Sequence, residues 1–387
     1  MGVEITAPVR RAAQRFIPNA KPFFSPADKA QILASMSEIL DGMLTLGPLV
    51  QRLEQDFAHY VGVSHAVAVH SCTSALEIAL RFFEVEGRDV LVPAQTFVAT
   101  ANAVITAGGR PVIIDVDRAT QCLTAELVET AIGPKTAGVI VVNMHGLIPP
   151  DFEAIRAVCR RRSLFLIEDA AHSPGAIYRG VKSGALADAA CFSLYATKVL
   201  TAGEGGVLTT GDPCLAAFAR SVRDHGMEET RTQCVRVGSN MRCDEFRAAV
   251  ALNQLGNLEV FVARRNTIAR LYEEQLADEA LIRLPARYTH IRHAYWKFPV
   301  SLADGLDPGC IARELLQSHG IQVSQPYAPP VHLQPYYRQR YGYAPGALPN
   351  VEWILSHYVC LPMHVGLTDD EVAHVVESLL SVLRKAT

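Results

Sequence analysis

A lysine, an aspartate and a glycine-rich turn stand near one another mid-chain, in Ile167-Glu-Asp169-Ala-Ala-His172, Cys191-Phe-Ser193-Leu-Tyr-Ala-Thr197-Lys198 and Gly203-Glu-Gly-Gly206. Lys198 follows Phe192-Ser-Leu-Tyr-Ala-Thr, a run too apolar for an exposed strand. A lysine that enters a buried polar pocket loses solvation, so its pKa falls and its neutral amine can attack a carbonyl. Asp169 follows the β-branched and aromatic run Leu164-Phe-Leu-Ile167, which would deliver it to the edge of a sheet. An Asp so placed often caps a helix or pairs within a loop. The sharper reading sets its carboxylate against the ring nitrogen of a pyridoxal cofactor, where it keeps the proton that makes the ring an electron sink. Lys198 would then supply the amine that bonds the cofactor's aldehyde.

Such a cofactor also needs a phosphate cradle. Ser71-Cys-Thr73-Ser74 ends one apolar run and opens a helical one, so backbone N–H groups and hydroxyls converge at a helix N-terminus. Ser193 could add a hydroxyl from a neighbouring strand. The same pattern is equally that of an ordinary N-cap. Phe97, in Pro93-Ala-Gln-Thr-Phe97, can stack on a ring, although most such aromatics belong to cores. Gly203, Gly205 and Gly206 would let the following turn adopt φ > 0 around a bulky ligand.

The elements that position these groups read as alternating strands and helices. Ala66–Val69, Asp89–Val92, Pro111–Ile114, Thr136–Val142 and Ser163–Ile167 read as strands. Thr73–Phe83, Phe97–Ala107, Leu123–Ile132 and Asp151–Arg161 read as helices. That alternation predicts βαβ units, a largely parallel sheet with helices on both faces, and ligands at the strands' carboxyl ends. Val207–Thr210 is a further strand. Asp212–Asp224 and Cys243–Leu276 then look helical, the latter bridging domains or broken near Gly256. A second domain follows, with Ala294–Leu302 as a strand, Cys310–His319 as a helix, a Pro/Tyr-rich loop over 326–345 and a capped helix from Thr368. We expect a large domain over 1–260, including an N-terminal arm, and a smaller one over 261–387.

With 387 residues, 49% hydrophobic and 19% charged, the chain is long enough for two packed cores. Its net charge of −3 gives no general electrostatic case for binding nucleic acid or an anionic membrane. No apolar run reaches the ~20 residues that span a bilayer, and Met1–Lys21 lacks the apolar core of a signal peptide. The nine cysteines include no C-x-x-C pair, which argues against a metal site or disulfide framework and fits a cytoplasmic location.

Ordered motifs run from about residue 22 to the C-terminus. They are Gly47-Pro-Leu-Val-Gln-Arg-Leu-Glu, Val92-Pro-Ala-Gln-Thr-Phe-Val-Ala-Thr-Ala-Asn102, Glu168-Asp-Ala-Ala-His172, Ser193-Leu-Tyr-Ala-Thr-Lys198, Gly203-Glu-Gly-Gly206, Gly238-Ser-Asn240-Met-Arg242-Cys-Asp-Glu245 and Leu361-Pro-Met-His364. With these the chain resembles the DegT/StrS family of nucleotide-sugar aminotransferases, a branch of the fold-type I pyridoxal-phosphate enzymes. The resemblance implies a large α/β domain with a mostly parallel sheet flanked by helices, plus a smaller C-terminal α+β domain. It implies Lys198 as the Schiff-base lysine and Asp169 as the pyridinium partner. His172 would bond the ring hydroxyl and Phe97 stack on the ring, while Cys72, Thr73 and Ser193 would hold the phosphate. Asn240 matches a residue given to the partner subunit's phosphate site, which implies a homodimer with shared active sites. Asn143 and His145 replace the His and aromatic residue usual there, and in relatives these positions border the sugar.

What the resemblance implies is transamination. An amino donor, glutamate by resemblance, would convert pyridoxal 5'-phosphate to pyridoxamine 5'-phosphate, which would aminate a keto group of a nucleotide-linked deoxy sugar. A cyclitol ketone is an alternative acceptor. Pyridoxamine-dependent dehydration is another reaction, but such relatives have His at the lysine position. A catalytically silent fold would have lost Lys198 or Asp169, and both are present. Tyr327, His332 and the 335–345 loop could approach a sugar or merely pack the small domain, and they are assigned no role.

Overall fold

The computed structural model describes residues 16–386. Residues 1–15, the start of the expected N-terminal arm and most of the Met1–Lys21 segment, lie outside the described residues. Seven strands form the main sheet, in the order His65–Val69, Gly206–Thr210, Ala189–Ser193, Phe165–Asp169, Thr136–Val142, Asp89–Pro93 and Arg110–Ile114. Gly206–Thr210 is antiparallel to both neighbours, and the other neighbouring strands pair parallel. Parallel neighbours cannot be joined by tight hairpins, and helices such as Val98–Thr106 and Phe152–Arg161 supply the crossovers. Five strands, Asp89–Pro93, Thr136–Val142, Phe165–Asp169, Ala189–Ser193 and Gly206–Thr210, are buried at every residue. Burial on both faces is why they read as continuous apolar runs rather than alternating ones.

Register then places the chemistry. Asp169 pairs with Val142 on one side and Cys191 on the other, while Gly206 pairs with both Ser193 and Val69. The carboxyl ends of four parallel strands and the start of the antiparallel one therefore share one edge.

A second apolar cluster, including Tyr272, Phe298, Val300, Leu315, Val359, Leu361 and Leu379, surrounds a three-stranded antiparallel sheet of Ile282–Arg283, Phe298–Leu302 and Tyr358–Leu361. The long helical stretch breaks after Gly256 and resumes as Leu258–Leu276. Its first turns, Leu258 and Val262, enter the large core, and Ile268, Tyr272 and Leu276 enter the small one. The C-terminal helix Asp369–Ala386 starts as its sequence predicts: the Thr368 N–H donates to Glu371 and the Glu371 N–H returns a bond to the Thr368 hydroxyl. Among the described residues no helix is long and apolar enough to cross a membrane.

Three local expectations change. The strand expected from Ala294 begins only at Phe298, because the preceding residues leave the sheet: the Ala294 and Lys297 N–H groups donate to the Gly146 and His145 carbonyls. The region expected to be a loop over 326–345 contains the helix Pro335–Tyr341, begun by proline and stopped at Gly342 in the left-handed region (φ 76°). The apolar strand expected to run up to Thr197, just before Lys198, is shorter. The strand stops at Ser193, and Lys198 sits in a turn whose N–H donates to the Tyr195 carbonyl.

Candidate active site

At the shared sheet edge lies a cavity of about 480 Å³, lined among others by Cys72, Thr73, Phe97, Asp169, His172, Ser193 and Lys198. Seven of the eight residues singled out by sequence thus meet in one place. The eighth, Asn240, is exposed and does not line this chain's cavity; its backbone pairs with Asp224 instead.

Each residue is delivered by its element. Cys72 and Thr73 are the first two residues of the helix Cys72–Phe82, where helix geometry leaves the N–H groups without intrahelical partners; the Ser71 hydroxyl caps the turn by accepting from Ser74 N–H at 3.2 Å. Gly206 lies against this loop so closely that a Cβ there would collide with Ser71 and the Cys72 nitrogen. Gly206→Ala should therefore displace the helix N-terminus, costing roughly 1–3 kcal/mol of stability and weakening affinity for a phosphate-bearing ligand. Denaturation and ligand titration check both. Phe97 caps the helix Val98–Thr106 and is 60% exposed, so it belongs to the cavity rim and not the core.

Asp169 is the last residue of its strand and is buried. Its carboxylate accepts from the Thr100 hydroxyl at 2.8 Å and the Ala171 N–H at 3.2 Å, with the Cys72 thiol at 4.0 Å. These partners are all neutral. Burial raises its pKa, opposed by the hydrogen bonds and the Lys198 charge. Lys198 is pulled the other way, from 10.5 to about 8, because desolvation outweighs the pull of Asp169. Its amine is therefore partly neutral near physiological pH.

Two residues from the C-terminal third complete the site. The Tyr327 hydroxyl hydrogen-bonds His172 Nε2 at 2.8 Å, and the His172 ring stacks on Trp296 at 3.9 Å between centroids. Burial, helped by Lys198, holds His172 well below its usual pKa, so its imidazole is neutral; the buried Nδ1 has no partner among the described residues. No spacing in the sequence singles out Trp296. His332, by contrast, is fully buried against Glu352 and packs the fold. Asn143 and His145 do not line the cavity either: Asn143 donates to Glu168, Ser173 and Ser183, and His145 bonds Gln121.

Residues 26–380 match the DegT/DnrJ/EryC1/StrS aminotransferase family. The chain belongs to that family. It is 37% identical over 349 residues to GDP-perosamine synthase of Caulobacter vibrioides, covering 88% of this chain and 91% of that protein. Among solved structures, DesV of S. venezuelae superposes with a TM-score of 0.88 at 32% identity, covering 94% of this chain and 98% of the other. Spr1654 of Streptococcus pneumoniae, solved in its PMP form, gives 0.89 at 25% identity, covering 96% and 98%.

In this aminotransferase, a second carboxylate stands beside the first. Glu168, next to Asp169, is wholly buried; its Oε1 accepts from Asn143, Ser183 and the Gly184 N–H. Burial outweighs those bonds and lifts its pKa from 4.5 to about 7. A folded value above the unfolded one means that stability is fully present below pH 4.5 and is lost as pH rises through about 7. The shift corresponds to roughly 3 kcal/mol. Glu168→Gln should remove this slope, so the stability difference between wild type and variant should change by about that amount between pH 4.5 and 7.5, as read by denaturant unfolding.

Proposed function

We propose that this aminotransferase carries an amino group from glutamate, by way of pyridoxal 5'-phosphate, to a keto group of a nucleotide-linked deoxy sugar. The observation that carries the reading is that Lys198, with a depressed pKa, and Asp169, a buried carboxylate with only neutral partners, line one cavity beside a helix N-terminus. The residues fit the cofactor. A protonated ring nitrogen would give Asp169 a charged hydrogen-bond partner in place of the neutral ones it has here, and the His172 Nδ1, unpartnered among the described residues, is the kind of buried polar atom that a bound ligand satisfies. When bound, pyridoxal phosphate supplies the electron sink that stabilises negative charge on the substrate carbon.

This chain's residues do the rest. Cys72, Thr73 and Ser193 hold the phosphate, the first two at a helix N-terminus that favours an anion. Phe97 covers the ring from the rim. Asp169 holds the proton on the ring nitrogen throughout. Lys198 Nζ would hold the cofactor at its aldehyde carbon and, when not so engaged, would take up and return the proton that moves in each half of the reaction, a task suited to a pKa of about 8. Trp296 and Tyr327, from the C-terminal third of the chain, also line the site.

The sugar class rests on the family and on the relative whose name is GDP-perosamine synthase. We place the enzyme in the cytoplasm, which its nine free cysteines suit. We further propose a homodimer in which the exposed Asn240 serves the partner's phosphate site. Incubation with 15N-glutamate and a nucleotide-linked 4-keto-6-deoxy sugar tests the reaction. Labelled amino sugar with one equivalent of 2-oxoglutarate supports it; keto sugar recovered unlabelled would sink the acceptor assignment.

A further inference from the structure

We propose that Trp296 is a positioning residue whose indole seats the Lys198 amine whenever that amine is not covalently engaged. The proposal rests on the reading of Lys198 as the lysine that bonds the cofactor. Trp296 itself comes from far along the chain, in the segment that leaves the small sheet just before the strand Phe298–Leu302, and it is buried.

Three contacts make it a seat. Its indole N–H donates to the Thr197 carbonyl at 2.8 Å, fixing the backbone one residue before Lys198. Lys198 Nζ lies 4.3 Å from the ring centroid, well inside the ~6 Å range of a cation–π contact. The His172 ring stacks on the same indole, at 12° between planes. The indole is in turn anchored from behind, since the buried Arg265 donates to the Tyr295 carbonyl at 3.0 Å and the Met363 carbonyl at 3.1 Å.

The physical need is specific. An amine released inside a desolvated cavity must be kept near the reacting carbon without being locked there. A carboxylate salt bridge would hold it too firmly as the ammonium. A π face attracts the ammonium weakly and the neutral amine hardly at all, so the lysine is retained yet remains free to give up its proton. The other groups facing Lys198 divide. Asp169 at its strand end and Cys72 at its helix start raise its proton affinity, and Lys297, beside Trp296, lowers it. His172 is neutral, and Tyr327 and Glu204 also line the cavity.

The test uses apoprotein mixed with pyridoxal 5'-phosphate across a pH series. Covalent capture at Lys198 is fixed by borohydride and located by peptide mapping, and its initial rate is read against pH. Wild type is compared with Trp296→Phe and Trp296→Leu, each checked for fold by circular dichroism. Both variants lose the Thr197 bond, so the difference between them isolates the ring face. Loss of that face destabilises the ammonium, and Trp296→Leu should lower the pH midpoint of capture by roughly half to one unit. Trp296→Phe, a weaker π face, should fall between Leu and wild type. If Leu does not fold, Trp296→Met repeats the comparison. A midpoint unmoved in Leu, or moved equally in Leu and Phe, overturns the proposal while leaving the cofactor assignment standing. Wild type that is not captured at Lys198 overturns the assignment, and the proposal with it.

Discussion

Lys198→Ala is expected to lower turnover by at least about 1,000-fold while leaving the fold intact. The loss combines two roles, the covalent anchor and the proton carrier, and general acid–base catalysis alone contributes about 10²–10⁴-fold. Stability should not suffer in step. The Lys198 amine titrates at about 8 when folded, below its ordinary 10.5, so proton binding at pH 7 opposes folding of the apoprotein. Removing the amine relieves that opposition, so the apo variant is expected to be at least as stable as apo wild type at neutral pH. Steady-state rates and denaturant melts read the two effects separately. Undiminished turnover in Lys198→Ala would remove the whole assignment.

Asp169→Asn is expected to cut kcat by about 10²–10³-fold, the usual scale for losing one preorganised electrostatic contact at a reacting centre. The change is nearly isosteric. Its remaining oxygen can still accept from Ala171 or Thr100, so unfolding should shift little. What the amide cannot do is hold a positive charge on a ring nitrogen. A kcat close to wild type would show that the carboxylate serves only the local hydrogen bonds, and the ring-nitrogen role would be wrong.

The main sheet and most of the site were legible in the sequence because both are local. Phe165–Asp169 and Ala189–Ser193 are continuous apolar strands, and each ends on or just before a residue of unusual chemistry. Cys72 and Thr73 follow a strand directly and open a helix, so their placement also needs no distant information. Trp296 and Tyr327 are different. Their bonds at the cavity span 99 residues of chain for Trp296 and 155 for Tyr327, and nothing in their neighbours' spacing distinguishes them from aromatics that fill a core. The same long-range pull makes the strand begin at Phe298 instead of Ala294, since the Ala294 and Lys297 N–H groups donate to the Gly146 and His145 carbonyls rather than into the small sheet. Asn143 marks the opposite lesson. Expected at the sugar from the family resemblance, it is turned inward, where it donates to the buried Glu168 beside Asp169. Strand order alone cannot tell which side of a strand end a side chain will take.

The central claim is that Lys198 and Asp169 work together on one bound pyridoxal cofactor. The most direct test is the visible absorption spectrum of the purified protein with pyridoxal 5'-phosphate, recorded before and after adding glutamate. The expected result is a band from covalently bound cofactor that is absent in Lys198→Ala and fades with glutamate as one equivalent of 2-oxoglutarate appears. A band that persists in Lys198→Ala, or no bound cofactor in wild type, would contradict the account.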